Sequence, residues 1–396
     1  MPSAKYLIVG GGMTADAAVR GIRKLDPSGE IALVSAEAHP PYNRPPLSKG
    51  LWKGKPLDGI WRKTEAEGVA LHLGRTVRRL DLTNRKAIDD QGREHVFEKA
   101  LLATGGTPRR LPFGGDAIVY FRTLDDYQRL RVQAADGQRF GVIGGGFIGA
   151  EIAAALAGNG KQVVMLFPEE GIGARLFPRG LALNLNDFYR AKGVDVRPGA
   201  RVTGLEREGR KVALIAEGTG THPEHTPVDG VVAGLGIQPN TELARDADLA
   251  VDDGIVVDEQ LRTSCAGVWA AGDVAAFPSA ALGVRMRVEH EDNALAQGLI
   301  AGQNLAGAAL PYHHLPFFYS DLFELGYEAV GEVDARLATI EDWEEPYRKG
   351  VVYYLRDAAV RGVLLWNVWG KVDAARELIA AKGPLRSGDL VGRIRG

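Results

Sequence analysis

The sequence predicts an α/β protein with two nested strand–helix–strand units, followed by a C-terminal α+β domain with an antiparallel sheet. Two glycine-rich turns, each between an apolar strand and a helical segment, indicate the two nested units. A change to aromatic-rich, alternating segments after His313 indicates the last domain. The 396 residues are enough for two or three domains with buried cores.

The composition is that of an ordinary globular protein, and it excludes some partners. Hydrophobic residues make up 45% of the chain, charged residues 25%, and the net charge is −2. That balance gives no basic field for nucleic acid, and no apolar run reaches the roughly twenty residues of a membrane span. We therefore expect neither a nucleic-acid nor a membrane partner. Because the first strand starts near Met1 and Cys265 is the only cysteine, we expect a cytoplasmic protein without a disulfide.

The first unit consists of an apolar run at 7–9, a helical pattern at 15–24 and an apolar run at 31–35. Glycine in the intervening turn permits a tight bend and lets a pyrophosphate approach the backbone. The start of the helix adds unpaired N–H groups and a positive dipole end. The turn and the helix start contain Gly10, Gly11, Gly12, Met13, Thr14 and Ala15.

The second unit repeats this order with a strand at 141–143, a helix at 147–157 and a strand at 162–167. Two such patterns in one chain predict two bound dinucleotides, with chemistry between them. The second turn and the helix start contain Gly144, Gly145, Gly146, Phe147, Ile148 and Gly149.

The remaining segments predict how the units are nested. A proline-rich loop is expected at 39–46, a buried strand at 99–103 and a loop at 104–108. Further strands are expected at 228–235 and 268–271, and a helix at 293–305. This order predicts one dinucleotide-binding domain over residues 1–112 and 241–312, a second over 113–240, and a C-terminal domain over 313–396.

An acidic residue at the end of the second strand commonly accepts hydrogen bonds from a ribose in such units. Glu37 holds that place in the first unit and Glu169 in the second. A carboxylate there would repel a 2′-phosphate, so Glu169 favours NADH over NADPH, although nearby Arg175 could soften the preference. The alternative is that both glutamates are simply solvated.

Several segments resemble the FAD-dependent ferredoxin reductases and, within that group, the branch of the apoptosis-inducing factor. They occur in the order of that family and cover nearly the whole chain. They are the segments RPPLSK at 44–49, ATGG at 103–106, LFPE at 166–169, GIQPN at 236–240, WAAGDV at 269–274, RMRVEHEDNA at 285–294 and VYYLRD at 352–357.

The resemblance implies two nested Rossmann-like domains of the glutathione-reductase type, with FAD in the first and NAD(P)H in the second. It implies that Asp273 binds the ribityl chain of the flavin, although Asp273 could instead be a plain helix N-cap. Arg44 and Arg122 would supply cations to FAD, with an ordinary surface arginine as the alternative for Arg122. The resemblance also places Thr104 and Gly105 at FAD, and Gly236 at NAD.

The most specific prediction from the resemblance is an ion pair between Lys49 and Glu151. The family pattern places such a lysine near the N5 edge of the flavin, paired with a glutamate of the second helix. Its positive charge would favour the reduced flavin without any proton transfer. The alternative is a structural ion pair between domains.

Other implied contacts lie around the two reacting rings. Glu289 and His290 resemble a pair beside the flavin, with Glu289 also reaching NAD, and acid–base chemistry by His290 is left open. Phe147 and Ile148 fit the nicotinamide side, and Glu328 fits a carboxylate that binds the nicotinamide amide. The chain departs from the family at Tyr319, where tryptophan is common, which leaves the stacking interaction there in doubt.

The sequence lacks the residues that disulfide exchange and metal binding would require. Disulfide reductases of this superfamily carry a cysteine pair after the first unit, and residues 36–57 contain no cysteine. Electrons are therefore expected to leave the flavin directly. A metal site is not expected either, because His222 and His225 lie in a turn-rich loop without further ligands.

Together these features predict a flavoprotein that takes hydride from NADH and passes electrons to an external acceptor, foremost a ferredoxin or a rubredoxin-like protein. Quinone, monodehydroascorbate and oxygen are alternative acceptors. A different alternative is a redox switch, in which a long-lived charge-transfer complex of reduced FAD and NAD controls dimerisation and partner binding. A homodimer is left open.

Overall fold

The computed structural model describes residues 3–209, 211–218, 223–381 and 383–394. The chain divides into two compact units. Unit 1 contains the described residues up to Arg44, together with Asp58–Thr107 and Gln238–Phe318. Unit 2 contains Pro45–Leu57, Pro108–Ile237 and the described residues from Tyr319 onward. The α/β class and the C-terminal antiparallel sheet are confirmed, whereas the division into three domains stays a prediction.

The helices are numbered in chain order as α1 (Met13–Arg23), α2 (Leu124–Asp136), α3 (Phe147–Gly158), α4 (Arg179–Ala191), α5 (Glu242–Arg245), α6 (Glu291–Leu305), α7 (Val372–Ala380) and α8 (Ser387–Leu390). The strands of the first third are β1 (Ser3–Val9), β2 (Ile31–Val34), β3 (Val69–His72), β4 (Val77–Asp81), β5 (Lys86–Asp89), β6 (Glu94–Leu102), β7 (Gly106–Pro108) and β8 (Ile118–Tyr120).

The middle strands are β9 (Arg139–Ile143), β10 (Gln162–Phe167), β11 (Val194–Pro198), β12 (Arg201–Glu208), β13 (Lys211–Glu217), β14 (Glu224–Val228), β15 (Gly230–Ala233), β16 (Ile237–Pro239), β17 (Val251–Asp252) and β18 (Gly254–Val256). The last strands are β19 (Val268–Ala270), β20 (Ala275–Ser279), β21 (Val284–Met286), β22 (Phe317–Leu322), β23 (Leu325–Gly331), β24 (Ala338–Glu345), β25 (Lys349–Arg356) and β26 (Ala359–Trp366).

The main sheet of unit 1 is parallel at its centre and branches at β6. The strand order is β3-β2-β1-β6-β5-β4, and β19 also pairs with β6. The first half of β6 pairs antiparallel with β5, and its second half pairs parallel with β19. Residues 6–9 of β1, the strand β2 and the end of β6 are buried, as expected for a parallel sheet covered on both faces.

Helices α1 and α6 pack so closely that side chains larger than hydrogen would not fit between them. A Cβ on Gly298 would lie 2.4 Å from the backbone oxygen of Thr14, and one on Gly302 would lie 2.1 Å from that of Ala18. A Cβ on Gly21 would lie 2.3 Å from the oxygen of Leu299. The glycines therefore fix the distance between the two helices.

Unit 2 contains a parallel sheet and two further sheets. The parallel sheet has the order β11-β10-β9-β15-β8, and β12-β13-β14 form a three-stranded sheet. The C-terminal sheet has the order β22-β23-β26-β25-β24, and α7 contacts β23 and β26. Strands β9, β10 and β15 consist mainly of buried apolar residues, which explains why their sequence predicts them well.

Three details of the sequence-based prediction are wrong. The strand expected at 228–235 is two strands, because Asp229 interrupts it and its carboxylate accepts the backbone N–H groups of Gln138 and Arg139 at 2.8 and 2.9 Å. The loop expected at 104–108 contains β7. The loop expected at 39–46 includes the start of a 3₁₀ turn, Pro45–Leu47, since the fixed φ of proline suits the first turn of a helix.

Among the helices that the structure describes, none is both long enough and apolar enough to span a lipid bilayer.

Candidate functional site

The first glycine turn is closed at two positions and open at the third. Gly10 has a φ of +127°, and a Cβ there would lie 2.1 Å from the backbone oxygen of Ala103. A Cβ on Gly11 would lie 2.1 Å from Oγ of Ser35. Gly12 is the N-cap of α1, where a Cβ would meet none of the described atoms within 4 Å and no side chain caps the helix. The open position suits a pyrophosphate at the helix start.

The second glycine turn has the same construction. Gly144 has a φ of +112°, and a Cβ there would lie 2.4 Å from the backbone oxygen of Gly234. A Cβ on Gly149 would lie 2.0 Å from the oxygen of Gly144, so only glycine lets α3 start this close to its strand. Gly146 is the N-cap of α3, without a side-chain cap or described atoms within 4 Å of a Cβ. This turn also suits a pyrophosphate.

The surroundings of the first turn fit a flavin nucleotide. Met13, Thr14 and Ala15 are buried, and Gly272 approaches so closely that a Cβ on it would lie 2.3 Å from Oγ1 of Thr14. The backbone N–H of Gly272 donates to Oε1 of Gln297 at 2.8 Å. Among the described residues, Nε2 of Gln297 is buried without a hydrogen-bond partner. A buried donor of this kind is expected to meet an acceptor, which a bound nucleotide offers.

Asp273 lies inside the 3₁₀ helix Gly272–Val274, whose N-cap is Ala271. The alternative interpretation of Asp273 as an N-cap is therefore wrong. The guanidinium of Arg287 donates to the backbone oxygen of Asp273 at 3.1 Å and to Oε1 of Glu289 at 2.6 Å. Glu289, predicted to contact both nucleotides, is exposed and paired with Arg287.

Glu37 and Arg44 form an ion pair with each other. The hydroxyl of Tyr42 donates to Oε2 of Glu37 at 2.5 Å. Burial lowers the pKa of Arg44, but the charge and the hydrogen bond of Glu37 and the charge of Asp273 outweigh burial, and the net pKa is raised. The two residues predicted as separate FAD contacts thus form a single charged cluster within electrostatic range of Asp273.

His290 is the N-cap of α6, and its ring stacks on Phe318 with centroids 4.2 Å apart and planes 16° apart. Burial lowers the pKa of His290 to about 4, although the carboxylates of Asp273 and Asp292 oppose that shift. The imidazole is therefore neutral near pH 7. This favours the predicted packing role over acid–base chemistry.

Two motif segments of unit 1 are tied together by a reciprocal pair of hydrogen bonds. Oγ1 of Thr104 donates to the backbone oxygen of Asn240 at 2.8 Å, and Nδ2 of Asn240 donates to that of Thr104 at 2.8 Å. The N–H of Asn240 also donates to the oxygen of Gly105 at 3.0 Å. In unit 2, Gly236 has a φ of +77°, and its oxygen accepts the N–H of Arg109 at 2.9 Å.

The side chain of Glu151 is 4% exposed. Its carboxylate accepts hydrogen bonds from three side chains, all of them in unit 2. Nζ of Lys49 lies 2.6 Å from Oε1, and the hydroxyl of Ser320 donates to the same oxygen at 2.6 Å. The hydroxyl of Ser48 donates to Oε2 at 2.5 Å. A buried carboxylate with three donors, one of them cationic, is well compensated for its burial.

Two tyrosines lie around this cluster. Nζ of Lys49 lies 5.0 Å from the ring centroid of Tyr319, within the range of a cation–π interaction. Burial and the charge of Glu151 raise the pKa of Tyr327 well above its ordinary value, and its hydrogen bond with Ser320 only partly offsets this. The phenol of Tyr327 therefore stays protonated.

A cavity in unit 2 joins the second glycine turn to the start of the C-terminal sheet. Phe147 lies on one side of it, with its ring centroid 6.4 Å from that of Tyr327. Ile148, also predicted at the nicotinamide, is half-buried. The cavity is lined by Gly145, Gly146, Phe147, Ala150, Ile172, Gly173, Leu176, Phe177, Ser320, Leu322 and Tyr327.

Three charged residues predicted as cofactor contacts lie elsewhere in unit 2. Glu169 is paired with Arg175 at 2.6 Å, and the arginine side chain is 84% exposed. Arg122 precedes α2, and its backbone N–H donates to Oδ2 of Asp126 at 3.1 Å. Burial raises the pKa of Glu328, although the backbone N–H of Gly370 opposes that shift.

Besides its raised pKa, Glu328 has a second feature that indicates a ligand. Its Oε2 atom is buried without a hydrogen-bond partner among the described residues. An acceptor in this state fits the N–H groups of an amide such as that of nicotinamide. The glycine turn and the adjoining cavity fit NADH in unit 2, and the Glu328 acceptor is a separate feature of that unit.

The described residues contain no group of three or more His, Cys, Asp or Glu placed to hold a metal ion. His222, which was weighed as a ligand, lies outside the described residues.

Sequence reasoning missed Ser48, Ser320, Tyr327 and Gln297. Ser48 and Ser320 each adjoin a predicted site residue in the chain, Lys49 and Tyr319, which was the available signal. The partners of Tyr327 and Gln297 come from segments distant in sequence, so no local pattern could identify them.

The comparisons with known proteins cover nearly the whole chain. Residues 4–298 match the family described as pyridine nucleotide-disulphide oxidoreductase. Residues 301–346 and 341–381 match the C-terminal domain of the mitochondrion-associated apoptosis-inducing factor. Apoptosis-inducing factor 1 of Dictyostelium discoideum is 34% identical over 95% of this chain and 78% of its own length.

Two electron-transfer proteins are similarly related. Putidaredoxin reductase of Pseudomonas putida is 34% identical over 82% of this chain and 79% of its own length. The crystal structure of a ferredoxin reductase from Rhodopseudomonas palustris superimposes with a TM-score of 0.88 and 28% identity, over 97% of this chain and 96% of that one.

Proposed function

The chain belongs to the pyridine nucleotide-disulphide oxidoreductase family, and from this premise we propose that it is an FAD-dependent NADH oxidoreductase that passes electrons to an external acceptor. The acceptor favoured is a ferredoxin or a rubredoxin-like protein. Relatives named as ferredoxin–NAD⁺ reductase components support this choice, at 33% identity in Pseudomonas putida and 32% in Burkholderia cepacia.

The observation that carries the proposal is the pair of glycine turns with open helix starts. Gly12 and Gly146 both leave room where a Cβ would stand, and both helices lack a side-chain cap. A helix start of this kind satisfies its free N–H groups with an anion. One turn lies beside the unpartnered donor of Gln297 and the other beside the cavity in unit 2, which suits two different nucleotides.

The residues of each unit have separate tasks in this proposal. When bound, FAD supplies the chemistry that accepts two electrons from NADH and releases them one at a time. Lys49 contributes a positive charge that favours the reduced, more negative cofactor, and Glu151 holds that ammonium in place. Glu328 binds the nicotinamide amide, and Glu169 binds the ribose and selects NADH.

The family carries redox cysteines in its disulfide reductases, but this chain has only Cys265, which is half-buried after β18. No cysteine pair within the chain can relay electrons. The proposal therefore has electrons pass from FAD to the acceptor directly.

The test is the rate of flavin reduction by NADH in a stopped-flow spectrometer, for the wild type and for Lys49→Ala. We expect the variant to be slower by about 100- to 1000-fold, the range for loss of one preorganised electrostatic contact. Lys53→Ala is the control, because Lys53 is exposed and ends the 3₁₀ helix Gly50–Lys53, whose N-cap is Lys49. An unchanged rate in Lys49→Ala would remove the lysine from the mechanism.

The acceptor is tested by steady-state turnover with a ferredoxin, a rubredoxin, a quinone, monodehydroascorbate and oxygen. Fast turnover with ferredoxin supports the proposal. Fast turnover with only one of the other acceptors would reassign the protein to that class.

A second candidate function is a redox switch, favoured by the match to the C-terminal domain of the apoptosis-inducing factor. In that case reduction by NADH yields a long-lived state that changes dimerisation, and turnover is slow with every acceptor. Light scattering with and without NADH separates the two functions, since a constant mass with fast ferredoxin turnover contradicts the switch. The cytoplasmic location and the homodimer stay predictions.

A further inference from the structure

We propose that Ser320, with Tyr327 behind it, is a positioning residue that fixes the Glu151 carboxylate and thereby the Lys49 ammonium. The inference rests on the proposed function of Lys49. It concerns two residues for which neither the motifs nor the family matches supply a role.

The hydrogen bonds of this cluster have a defined direction. The hydroxyl of Ser320 has one proton, which it donates to Oε1 of Glu151 at 2.6 Å. Ser320 also shares a hydrogen bond with Tyr327, whose phenol stays protonated because burial and the charge of Glu151 raise its pKa. Ser320 is therefore the donor that fixes Oε1 of Glu151, with the protonated phenol of Tyr327 beside it.

The carboxylate is held from two sides, which restricts its rotation. Ser320 and Lys49 share Oε1, while Ser48 holds Oε2 at 2.5 Å. Because Ser320 is fully buried and Glu151 is 4% exposed, water cannot readily replace the serine hydroxyl. Loss of that hydroxyl therefore leaves Oε1 with Lys49 alone and lets the carboxylate turn.

Ser320 and Tyr327 also line the cavity beside the second glycine turn. Ser320, which holds Glu151, thus forms part of the wall of this cavity. A ligand in this cavity would contact the donors that fix the charge pair. Ser320 connects the cavity to the Lys49 ammonium through two hydrogen bonds that share Oε1 of Glu151.

The first measurement reports the chemical accessibility of the Lys49 ammonium and does not depend on the catalytic rate. Acetic anhydride modifies lysines, and mass spectrometry gives the modification rate at Lys49, whose side chain is 13% exposed. In the holoenzyme we expect Ser320→Ala to raise this rate by about tenfold, the value for one lost hydrogen bond to a charged group. Ser320→Thr keeps a hydroxyl and is expected to restore the wild-type rate.

The second measurement is the midpoint potential of the bound flavin. We expect Ser320→Ala to make it more negative, in the direction of Lys49→Ala but by less, because the ammonium is still present but no longer fixed. Tyr327→Phe is expected to give a smaller shift of the same sign. The control is Ser279→Ala, a buried serine in β20 of unit 1, which is expected to leave both readouts unchanged.

The outcomes separate this inference from the proposed function. If Lys49→Ala shifts the potential and Ser320→Ala alters neither readout, the positioning role is wrong and the proposed function stands. If Lys49→Ala itself has no effect, the role of Lys49 is wrong. Thermal unfolding of each variant identifies a fold defect, and equal changes in Ser320→Ala and Ser320→Thr would overturn the positioning role.

Discussion

The two glycine turns share one backbone geometry but differ in what surrounds them. Gly11 meets the small hydroxyl of Ser35, whereas a Cβ on Gly145 would lie 2.8 Å from the ring of Phe167. The third small residue is Ala15 in unit 1 and Gly149 in unit 2. Beyond the turn itself, glycines between α1 and α6 let these helices pack closely in unit 1, whereas in unit 2 Gly149 lets α3 start close to Gly144. The same ligand-binding device can thus be supported by different parts of a fold.

The buried carboxylates on the two helices sharpen this comparison. Asp16 of α1 accepts from Arg20, Arg62 and Thr64 at 3.0, 2.6 and 2.7 Å, all within unit 1. Glu151 of α3 instead accepts from one lysine and two serines. Two guanidinium groups make Asp16 a rigid crosslink, while the Glu151 cluster holds a single ammonium group. We infer a structural role for the first and a functional role for the second.

The largest expected effect is on stability. Asp16→Asn should lower the free energy of unfolding by about 3–5 kcal/mol, because it leaves a buried charge network without its anion. Urea unfolding at pH 7 measures this loss. The control is Asp187→Asn, whose carboxylate lies on the surface of α4 and is 78% exposed. A similar loss in both variants would contradict the structural role.

The pKa of Asp16 gives the sign of its pH dependence. Burial raises this pKa, but hydrogen bonds from Arg20, Thr64 and Arg62 outweigh burial and the net pKa is lowered. A lowered pKa contributes stability above the ordinary value of 3.8, and the contribution is lost as the pH falls through the folded value. The difference between Asp16→Asn and the wild type should therefore shrink below about pH 4.

The next effect is the response of unit 1 to mild acid. His290 has a pKa of about 4 in the fold and 6.5 in the unfolded chain. Below 6.5 the unfolded chain binds the proton first, so stability falls between pH 6.5 and 4, by up to about 3 kcal/mol. His290→Phe should remove most of this slope in unfolding measurements. His313→Phe, at an exposed position, should retain it.

The third effect separates the two turns directly. Gly12→Val and Gly146→Val place a side chain where no described atom stands, with φ angles of −89° and −83° that valine tolerates. Both variants should fold. We expect overpacking of the bound ligand by about 1–3 kcal/mol, which weakens FAD in the first and NADH in the second by roughly 5- to 150-fold.

Fluorescence titration of FAD and of NADH measures both affinities, and each variant serves as the control for the other. Equal losses of both ligands in both variants would contradict the assignment of one nucleotide to each turn.

The smallest effect concerns the exposed pair at the end of β10. Arg175→Ala frees the Glu169 carboxylate and should raise the preference for NADH over NADPH by less than about fivefold, as exposed ion pairs contribute below about 1 kcal/mol. The ratio of kcat/KM values measures it. Arg179→Ala, which breaks the neighbouring exposed pair with Glu170, is the control. A larger change in the control would remove Arg175 from nucleotide selection.

Much of the fold could be predicted because its central strands are short apolar runs next to glycine turns. The extent of β6 could not, since its first half is mixed in sequence, alternates in burial and pairs with β5 as well as with β1. Within the site, Lys49 and Glu151 could be predicted from motifs. Ser320 and Tyr327 could not, because their contacts with Glu151 depend on how β22 and β23 approach α3.

The branching of the sheet at β6 affects how the chain folds while it is being synthesised. Its second half is buried between β1 and β19, and Ala100 donates its N–H to the backbone oxygen of Gly267. A ribosome adding roughly 5–20 residues per second must therefore complete the chain from Leu102 to Val268 before that edge is paired. Throughout this interval the nascent chain presents an apolar strand edge, a form prone to aggregation. Unit 1 begins first but is completed only after residues 108–237 of unit 2 have been made, so its folding depends on the pace of translation through that segment.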